Sequence, residues 1–327
     1  MIVAGDIGGT NARLATFDVQ GGRLLLVKEL IYPSRSAPDL ETIARRFVEE
    51  ARPAATAVAM GVAGPVKDGR IATPNLPWVV DARRLAEIFE VPQVTLLNDL
   101  KANAYGLRHL GPADFAVIHA GAQGATGNQA ILSAGTGLGC AGLFWDGQRH
   151  RPFATEGGHA DFAARNHLEA ELMEDVASET GRVSAERLLS GKGLVRIYRF
   201  LRKRSGVPEP EALTARFTKE DPAAVVSRSG LDQTDPVCVQ ALDTFVSAYG
   251  AEAGNVALRM LATAGVFLGG GIAPKNLPAF KRDGLFMKAF LNKGRMRPLL
   301  ETISVQVVLN DRAALWGAAH CAAFDES

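Results

Sequence analysis

Cysteine is scarce in this chain: Cys140, Cys238 and Cys321 are its whole complement, odd in number and far apart. Such a set argues against a disulfide framework and for a reducing compartment, the cytoplasm. No two of them have zinc-ligand spacing, so all three are expected to be buried, inert thiols. Charge of one sign in excess is also missing. Lys plus Arg number 36 and Asp plus Glu 35, a formal net charge of +1. That balance excludes a general electrostatic pull toward nucleic acid or anionic membrane. It leaves room for a local anion site, because backbone amides and helix ends supply one without net charge. No apolar run approaches the roughly 18–20 residues of a membrane span. The opening Met1-Ile2-Val3-Ala4-Gly5-Asp6 has the pattern of a strand and lacks the zones of a signal peptide. Low-complexity segments are absent. So is Walker A: Ser190-Gly191-Lys192-Gly193 holds a Gly-Lys pair without the upstream Gly or the following Ser/Thr. Protein-kinase signatures are missing too.

What remains is an ordinary globular composition, 47% hydrophobic and 22% charged, in 327 residues. That length suits two domains or lobes. The first third alternates short apolar runs with amphipathic ones. Strands are expected at 2–6, 12–18, 24–31, 56–62 and 94–97, with helices from Asp39 to about Ala51, from Asp81 to about Phe89, and over 99–110. Pro65–Thr73, with its Lys67-Asp68-Gly69 turn, looks like a hairpin. This order predicts mixed rather than purely parallel sheets. Further strands are expected at 115–119, 129–133 and 139–145. Beyond Arg165 the pattern turns helical, over 167–180, 184–190 and 192–203, and over 236–261 as one helix or as two with a break near Gly250 or Gly254. A strand at 264–268, another at 302–308 and a helix over 313–323 complete the chain. Arg204–Pro210 and Ser227–Pro236 are the best loop candidates.

Three glycine-rich turns stand out. Gly5-Asp6-Ile7-Gly8-Gly9-Thr10-Asn11 joins two apolar strands. Paired glycines let backbone N–H groups approach an anion, Thr10 and Asn11 add side-chain donors, and Asp6 is placed to hold Mg²⁺ directly or through water. Ser133-Ala134-Gly135-Thr136-Gly137-Leu138-Gly139 repeats the strand–turn–strand plan, a weak internal echo. Its spacing is not a dinucleotide fingerprint. Gly269-Gly270-Gly271-Ile272-Ala273-Pro274 follows a third strand, where glycines let a flat ring lie against backbone. Ordinary hairpins and loops explain each turn taken singly.

The polar candidates are similarly two-sided. Asn98-Asp99 falls between a strand and a helix, a place that suits a general base in a cleft or simply a helix cap. Glu156-Gly157-Gly158-His159 offers acceptors and a donor suited to sugar hydroxyls, or forms a polar turn. Glu186, just after Ser184, is favoured at a helix start by the macrodipole alone. Asn75, between prolines 74 and 77, is a turn residue on the same grounds.

In this order the segments resemble the bacterial glucokinase family of ATP-dependent hexokinases. The matching stretches are GDIGGTNARLA (Gly5–Ala15), TPNLPW (Thr73–Trp78), LNDLKA (Leu97–Ala102), SAGTGLG (Ser133–Gly139), EGGHADF (Glu156–Phe162), RVSAERLLSGKGL (Arg182–Leu194) and FLGGGIAPKN (Phe267–Asn276). The resemblance implies an α/β, two-lobed actin-like (RNase H-like) ATPase fold with mixed sheets and a helix-rich larger lobe. It places a small lobe at 1–109, completed by 299–327, and a large one at 110–298. It implies ATP and Mg²⁺ and transfer of the γ-phosphoryl to the 6-hydroxyl of D-glucose, in a cytoplasmic homodimer that binds neither nucleic acid nor membrane. Asp99 becomes the base. Asn75, Asn98, Asp99, Glu156, His159 and Glu186 become sugar contacts. Gly5, Asp6, Ile7, Gly8, Gly9, Thr10 and Asn11 form the first nucleotide loop, Gly135, Thr136 and Gly137 the second, and Gly269, Gly270 and Gly271 the adenosine side. The Cys-rich zinc loop usual in the repressor/open-reading-frame/kinase group is missing, which places the chain with the zinc-free glucokinases. A kinase for mannose, fructose or an N-acetylhexosamine, and a sugar-sensing regulator without catalysis, are the competing readings.

Overall fold

A computed structural model describes residues 1–74 and 76–324. The chain divides into two compact units, Met1–Asp114 with Arg151–Ala154 and Asn310–Ser327, and Phe115–His150 with Thr155–Leu309.

The first unit carries strands β1 (Ile2–Ile7), β2 (Asn11–Gln20), β3 (Arg23–Pro33), β4 (Ala57–Val62), β5 (Arg70–Ala72), β6 (Val79–Asp81) and β7 (Val94–Asn98), with helices α1 (Leu40–Ala51), α2 (Ala82–Phe89) and α3 (Asp99–Gly106). The order β3-β2-β1-β4-β7 makes its main sheet mixed: β1–β2 and β2–β3 are antiparallel, while β1–β4 and β4–β7 are parallel. Gly21 and Gly22, at φ 55° and 75°, turn β2 into β3. Two consecutive positive φ values define the hairpin turn that glycine favours. Helix α1 starts where the Asp39 carboxylate accepts from Thr42 N at 2.8 Å, and it buries Ile43, Ala44 and Phe47. One sheet face rests on these side chains with Met60, Trp78, Leu85 and Phe89. The other rests on the C-terminal helix Ala313–Phe324, through Leu315, Ala318 and Ala319. The Lys67-Asp68-Gly69 turn forms as expected, but the strand after it pairs with Val79–Asp81.

The second unit holds β8 (Phe115–His119), β9 (Gln129–Ala134), β10 (Leu138–Trp145), β12 (Val266–Gly269) and β13 (Val305–Val308), with only the two end residues of β11 (His150–Thr155). The order β10-β9-β12-β13-β8 runs through its sheet, with β9, β12 and β13 parallel to one another. Its helices are α4 (His167–Thr180), α5 (Ala185–Leu188), α6 (Gly191–Ser205), α7 (Glu211–Phe217), α8 (Pro222–Leu231), α9 (Pro236–Met260), α10 (Ile272–Lys275), α11 (Leu277–Lys281), α12 (Leu285–Leu291) and α13 (Arg297–Glu301). Helix α9 is unbroken, the first of the two forms expected for this stretch. Its glycines serve close packing: a Cβ at Gly250 would lie 2.2 Å from the Phe286 carbonyl oxygen, and one at Gly254 2.6 Å from that of Phe290. Interior glycine costs a helix about 1 kcal/mol, which α12 offsets by packing there against α9. Tyr249, Phe280, Phe286 and Phe290 cluster at this contact. The loop expected from Ser227 is also corrected. Residues up to Leu231 belong to α8, which Asp221 and a first-turn Pro222 start and which buries Val225 and Val226.

All three cysteines are free and buried, and burial pushes the Cys140 thiol up to about 11 and that of Cys238 up to about 12. Among the described residues no helix is long and apolar enough to cross a membrane.

Candidate active site

In the first unit the parallel strands bring the candidates together. Ile7 pairs with Val62 and Val62 with Asn98, so β1, β4 and β7 end in one row. Loops at such strand ends are where α/β sheets bind ligands. The β1–β2 turn is closed by Gly8 N donating to Asn11 O at 2.9 Å, and the Ser34 hydroxyl donates to Gly8 O at 2.7 Å. Thr10 and Asn11 are exposed, and Gly8 and Gly9 partly so. Gly5 and Ile7 lie inside β1. A Cβ at Gly5 would sit 2.2 Å from Met60 Sδ, so that glycine answers to core packing.

Asp6, opposite Arg13 across β1–β2, is half-buried. Burial is the main reason its carboxyl is pushed up to about 6. Arg13 opposes the shift, and the carboxylates of Asp99 and Asp311 add to it. Asp6 and Asp99 are therefore neighbours in space. Arg13 is itself held by Glu29 at 3.2 Å and by Asp311 at 2.9 Å.

Asp99 opens α3, and the helix cap falls mainly to its neighbour. Asn98 Oδ1 accepts from Leu100 N at 2.9 Å and Lys101 N at 3.2 Å, while its Nδ2 donates to Gly64 O at 3.2 Å. Asp99 Oδ1 accepts from Leu100 N at 2.9 Å. The helix that carries Asp99 is clamped on two sides. A Cβ at Gly61 would stand 2.8 Å from Ala102 Cβ, and one at Gly317 1.8 Å from Ala102 O. Asn75 lies outside the described residues.

In the second unit the other candidates share a single neighbourhood. Gly135 N donates to Gly137 O at 2.9 Å, closing the β9–β10 turn. Gly269 pairs with Ser133 across β9–β12, so the two glycine turns leave adjacent strand ends. Gly270, at φ 75°, fits only as glycine, since a Cβ there would meet Ala134 O at 2.3 Å. The Glu156–His159 loop packs on the same β9–β10 turn, where a Cβ at Gly158 would lie 1.8 Å from Leu138 O. Glu156 Oε2 and His159 Nε2 are 3.9 Å apart, and both side chains are more than half exposed, at 63% and 58%. Glu186 Oε2 accepts from Leu138 N at 2.9 Å. Ser184 stands at the start of α5, but its hydroxyl makes no capping bond.

Beside these turns lies a cleft of about 790 Å³ lined by Gly135, Thr136, Lys192, Arg199, Gly271 and Lys275 among others. Arg196 also lines it, giving α6 cations at positions 192, 196 and 199 on one helical face. Asn276, whose Oδ1 accepts from the Ser227 hydroxyl at 2.5 Å, lines it with Ser227. Sequence reasoning missed these residues. The i, i+4, i+7 spacing of Lys192, Arg196 and Arg199 was legible, but Ser227 had been placed in a loop.

The first unit sets Asp6 and Asp99 at the end of a mixed sheet with a glycine turn, and the second sets Glu156, Glu186 and two glycine turns near a cation-lined cleft, features of a phosphoryl-transfer protein of the actin-like ATPase fold. The glucokinase family model matches residues 3–324. A glucokinase from Synechocystis is 41% identical, covering 98% of this chain and 97% of its own length. The solved glucokinase from an Antarctic psychrotroph superposes with a TM-score of 0.83 at 30% identity, over 98% of each chain. A ROK-family glucokinase from Streptomyces griseus, solved with glucose and AMPPNP, shares the fold at a TM-score of 0.65 and 22% identity, over 98% of each chain. The chain belongs to the glucokinase family.

Proposed function

We propose that this chain transfers the γ-phosphoryl group of ATP to the 6-hydroxyl of D-glucose, with Asp99 as the general base. The carrying observation is the placement of Asp99: a carboxylate at the end of β7, on a clamped helix, beside Asp6 and the Gly8–Thr10 turn. An alcohol is a weak nucleophile, so its proton moves to the Asp99 carboxylate as the oxygen attacks phosphorus. Such base catalysis contributes about 10²–10⁴ in rate. Asn98, Glu156, His159 and Glu186 are assigned to the sugar hydroxyls, together with Asn75. The backbone amides of the Gly8–Thr10 and Gly135–Gly137 turns are assigned to the phosphates, where they stabilise charge that develops on the transferred group. The adenosine end is assigned to the cleft beside Gly269–Gly271, with Lys192, Arg196, Arg199 and Lys275 balancing the nucleotide's charge.

The residues present also fit Mg²⁺. Asp6 is a hard oxygen donor at a strand end, with the negative charge of Asp99 nearby, and Mg²⁺ binds through one or two carboxylates while keeping waters. When bound with ATP, that ion neutralises phosphate charge. The two compact units serve as the two lobes of the fold, and we assign the enzyme to the cytoplasm as a homodimer.

The test is ADP release with ATP, Mg²⁺ and a panel of glucose, mannose, fructose and N-acetylglucosamine. Glucose should give the highest kcat/KM. A higher value for another sugar would reassign the substrate, and sugar binding without ADP release would make the chain a sensor.

A further inference from the structure

The backbone of Leu138 is shared by two loops assigned to different substrates. Its N–H donates to Glu186 Oε2 at 2.9 Å. Its carbonyl oxygen lies against Gly158, so closely that a Cβ there would approach to 1.8 Å. Leu138 thus joins the phosphate turn, through residues 135–137, to the sugar loop, through residues 156–159. The segment around Glu186 is tied to both as well. On the sugar side Ala185 N donates to Ala160 O at 2.8 Å, Phe162 N to Val183 O at 3.0 Å, and Arg182 to His159 O at 2.8 Å. On the phosphate side Gly191 N donates to Gly135 O at 2.9 Å, and the Ser190 hydroxyl returns to Glu186 O at 2.9 Å. The turn is therefore held at both ends by one short stretch, 186–191.

Gly137 adds an independent constraint. A Cβ at that position would come within 2.5 Å of Glu186 Oε2. The carboxylate occupies the space that any other residue's side chain would need, which accounts for glycine at 137 without invoking a positive φ. Glu186 is also only partly buried, so its second oxygen is available to a ligand.

We propose that Glu186 is a positioning residue that couples the two substrates, and that this coupling rests on the sugar and phosphate assignments made above. A sugar hydroxyl on one carboxylate oxygen fixes the carboxylate plane. The other oxygen then holds Leu138 N–H, and with it the 135–138 turn, in the conformation that meets the nucleotide phosphates. Without sugar the turn keeps more freedom, and nucleotide binding must order it. A ligand that orders a site in advance strengthens the second ligand by the ordering cost it removes. Linkage then requires nucleotide to strengthen sugar binding by the same factor.

The experiment is calorimetric binding of AMPPNP with Mg²⁺, with and without saturating glucose, and of glucose with and without AMPPNP. In the unaltered enzyme glucose should tighten AMPPNP by at least about fivefold, within the usual range of about 5–150-fold for coupled sites. The reciprocal factor should agree. Glu186→Ala should bring both factors to about one. Glu186→Gln keeps an oxygen that accepts from Leu138 N–H and should retain coupling within about twofold, even where glucose affinity falls; loss of coupling there counts against the backbone bond. Gly137→Ala, which displaces the carboxylate while leaving it chemically intact, should also lose coupling. It keeps the test open if Glu186→Ala does not fold. Hydrogen exchange supplies the second readout: glucose should slow exchange of the Leu138 amide in the unaltered enzyme and not in Glu186→Ala. A coupling factor below about two in the unaltered enzyme, or one unchanged in Glu186→Ala, overturns the proposal while leaving the glucokinase reading intact. Failure of glucose to bind the unaltered enzyme sinks that underlying reading instead.

Discussion

Replacing Asp99 by Asn separates chemistry from architecture at this site. Asn cannot accept the alcohol proton at neutral pH, so the base contribution of about 10²–10⁴ in rate is removed. In barrier terms that is about 2.7–5.4 kcal/mol, at 1.36 kcal/mol per factor of ten. The fold should hardly notice. The cap of α3 rests on Asn98 Oδ1, which accepts from both Leu100 N and Lys101 N. The bond from Leu100 N to Asp99 Oδ1 can pass to the side-chain oxygen of Asn. The clamp at Gly61 and Gly317 does not involve the side chain of residue 99. The variant also removes a negative charge that works against ionisation of Asp6. Stability should therefore change by less than about 0.5 kcal/mol, as for substitutions that leave caps and packing in place.

The assays are steady-state kinetics at saturating glucose and ATP, glucose binding by calorimetry, and thermal melting. We expect kcat to fall by at least about a hundredfold, with the glucose Kd within a few fold and Tm within about 2 °C. Asn98→Ala is the complementary variant. It removes the cap, at a cost of about 1 kcal/mol, and should lower Tm where Asp99→Asn does not. Turnover of Asp99→Asn near the parent level would refute the base assignment. A large drop in its Tm would refute the division of labour between residues 98 and 99.

Glu156→Gln should raise the glucose KM far more than the ATP KM, because Glu156 is assigned to the sugar; equal effects in the same kinetic assay would count against that. Asp235→Ala should cost about 3–5 kcal/mol in urea unfolding, since it strands Arg202, its mostly buried partner at 2.6 Å, and removes the Cys238 N bond that starts α9. Burial opposes ionisation of Asp235, yet the bonds from Arg202 and Cys238 N hold its carboxyl below the ordinary aspartate range. The stability it contributes is therefore complete above about pH 4 and lost as pH falls further. Acid unfolding of Asp235→Asn should show a flatter slope in that window than the parent. Gly317→Ala should destabilise by about 1–3 kcal/mol through overpacking, read as a lower melting temperature, because its Cβ would strike Ala102 O at 1.8 Å.

Periodicity identified much of the fold. Alternating apolar residues marked the strands that became β1, β2, β4 and β7, and capping chemistry marked α1 at Asp39 and α2 at Asp81. It failed where one residue type serves two purposes. Gly250 and Gly254 left one helix or two open because glycine lowers helix propensity, and only the position of α12 reveals them as contact points. The Ser227–Pro236 segment looked like a loop because Ser, Gly and Asp cluster there. Yet Ser229 and Gly230 are buried against α9, where a Cβ at Gly230 would meet the Cys238 carbonyl oxygen at 2.7 Å. In both places tertiary packing overrides local preference.

The candidate site divides along the same line. The glycine turns were visible because each follows an apolar strand, and the echo between Asp6–Leu14 and Ser133–Leu143 corresponds to a real repetition. Both are antiparallel hairpins whose first strand also has a parallel neighbour, β4 in one unit and β12 in the other. Side-chain roles were less visible, because the same residue satisfies local and distant demands. Asn98 is at once a cap and a candidate sugar ligand. Glu186 suits the first turn of a helix by charge alone, but its carboxylate reaches the Leu138 amide 48 residues away along the chain. No spacing rule within one helix encodes that bond. It is carried instead by glycine at 137 and 158, where a Cβ would collide with the Glu186 carboxylate and the Leu138 carbonyl. The information that joins the Glu156–His159 loop to the β9–β10 turn therefore lies in which side chains are missing as much as in which are present.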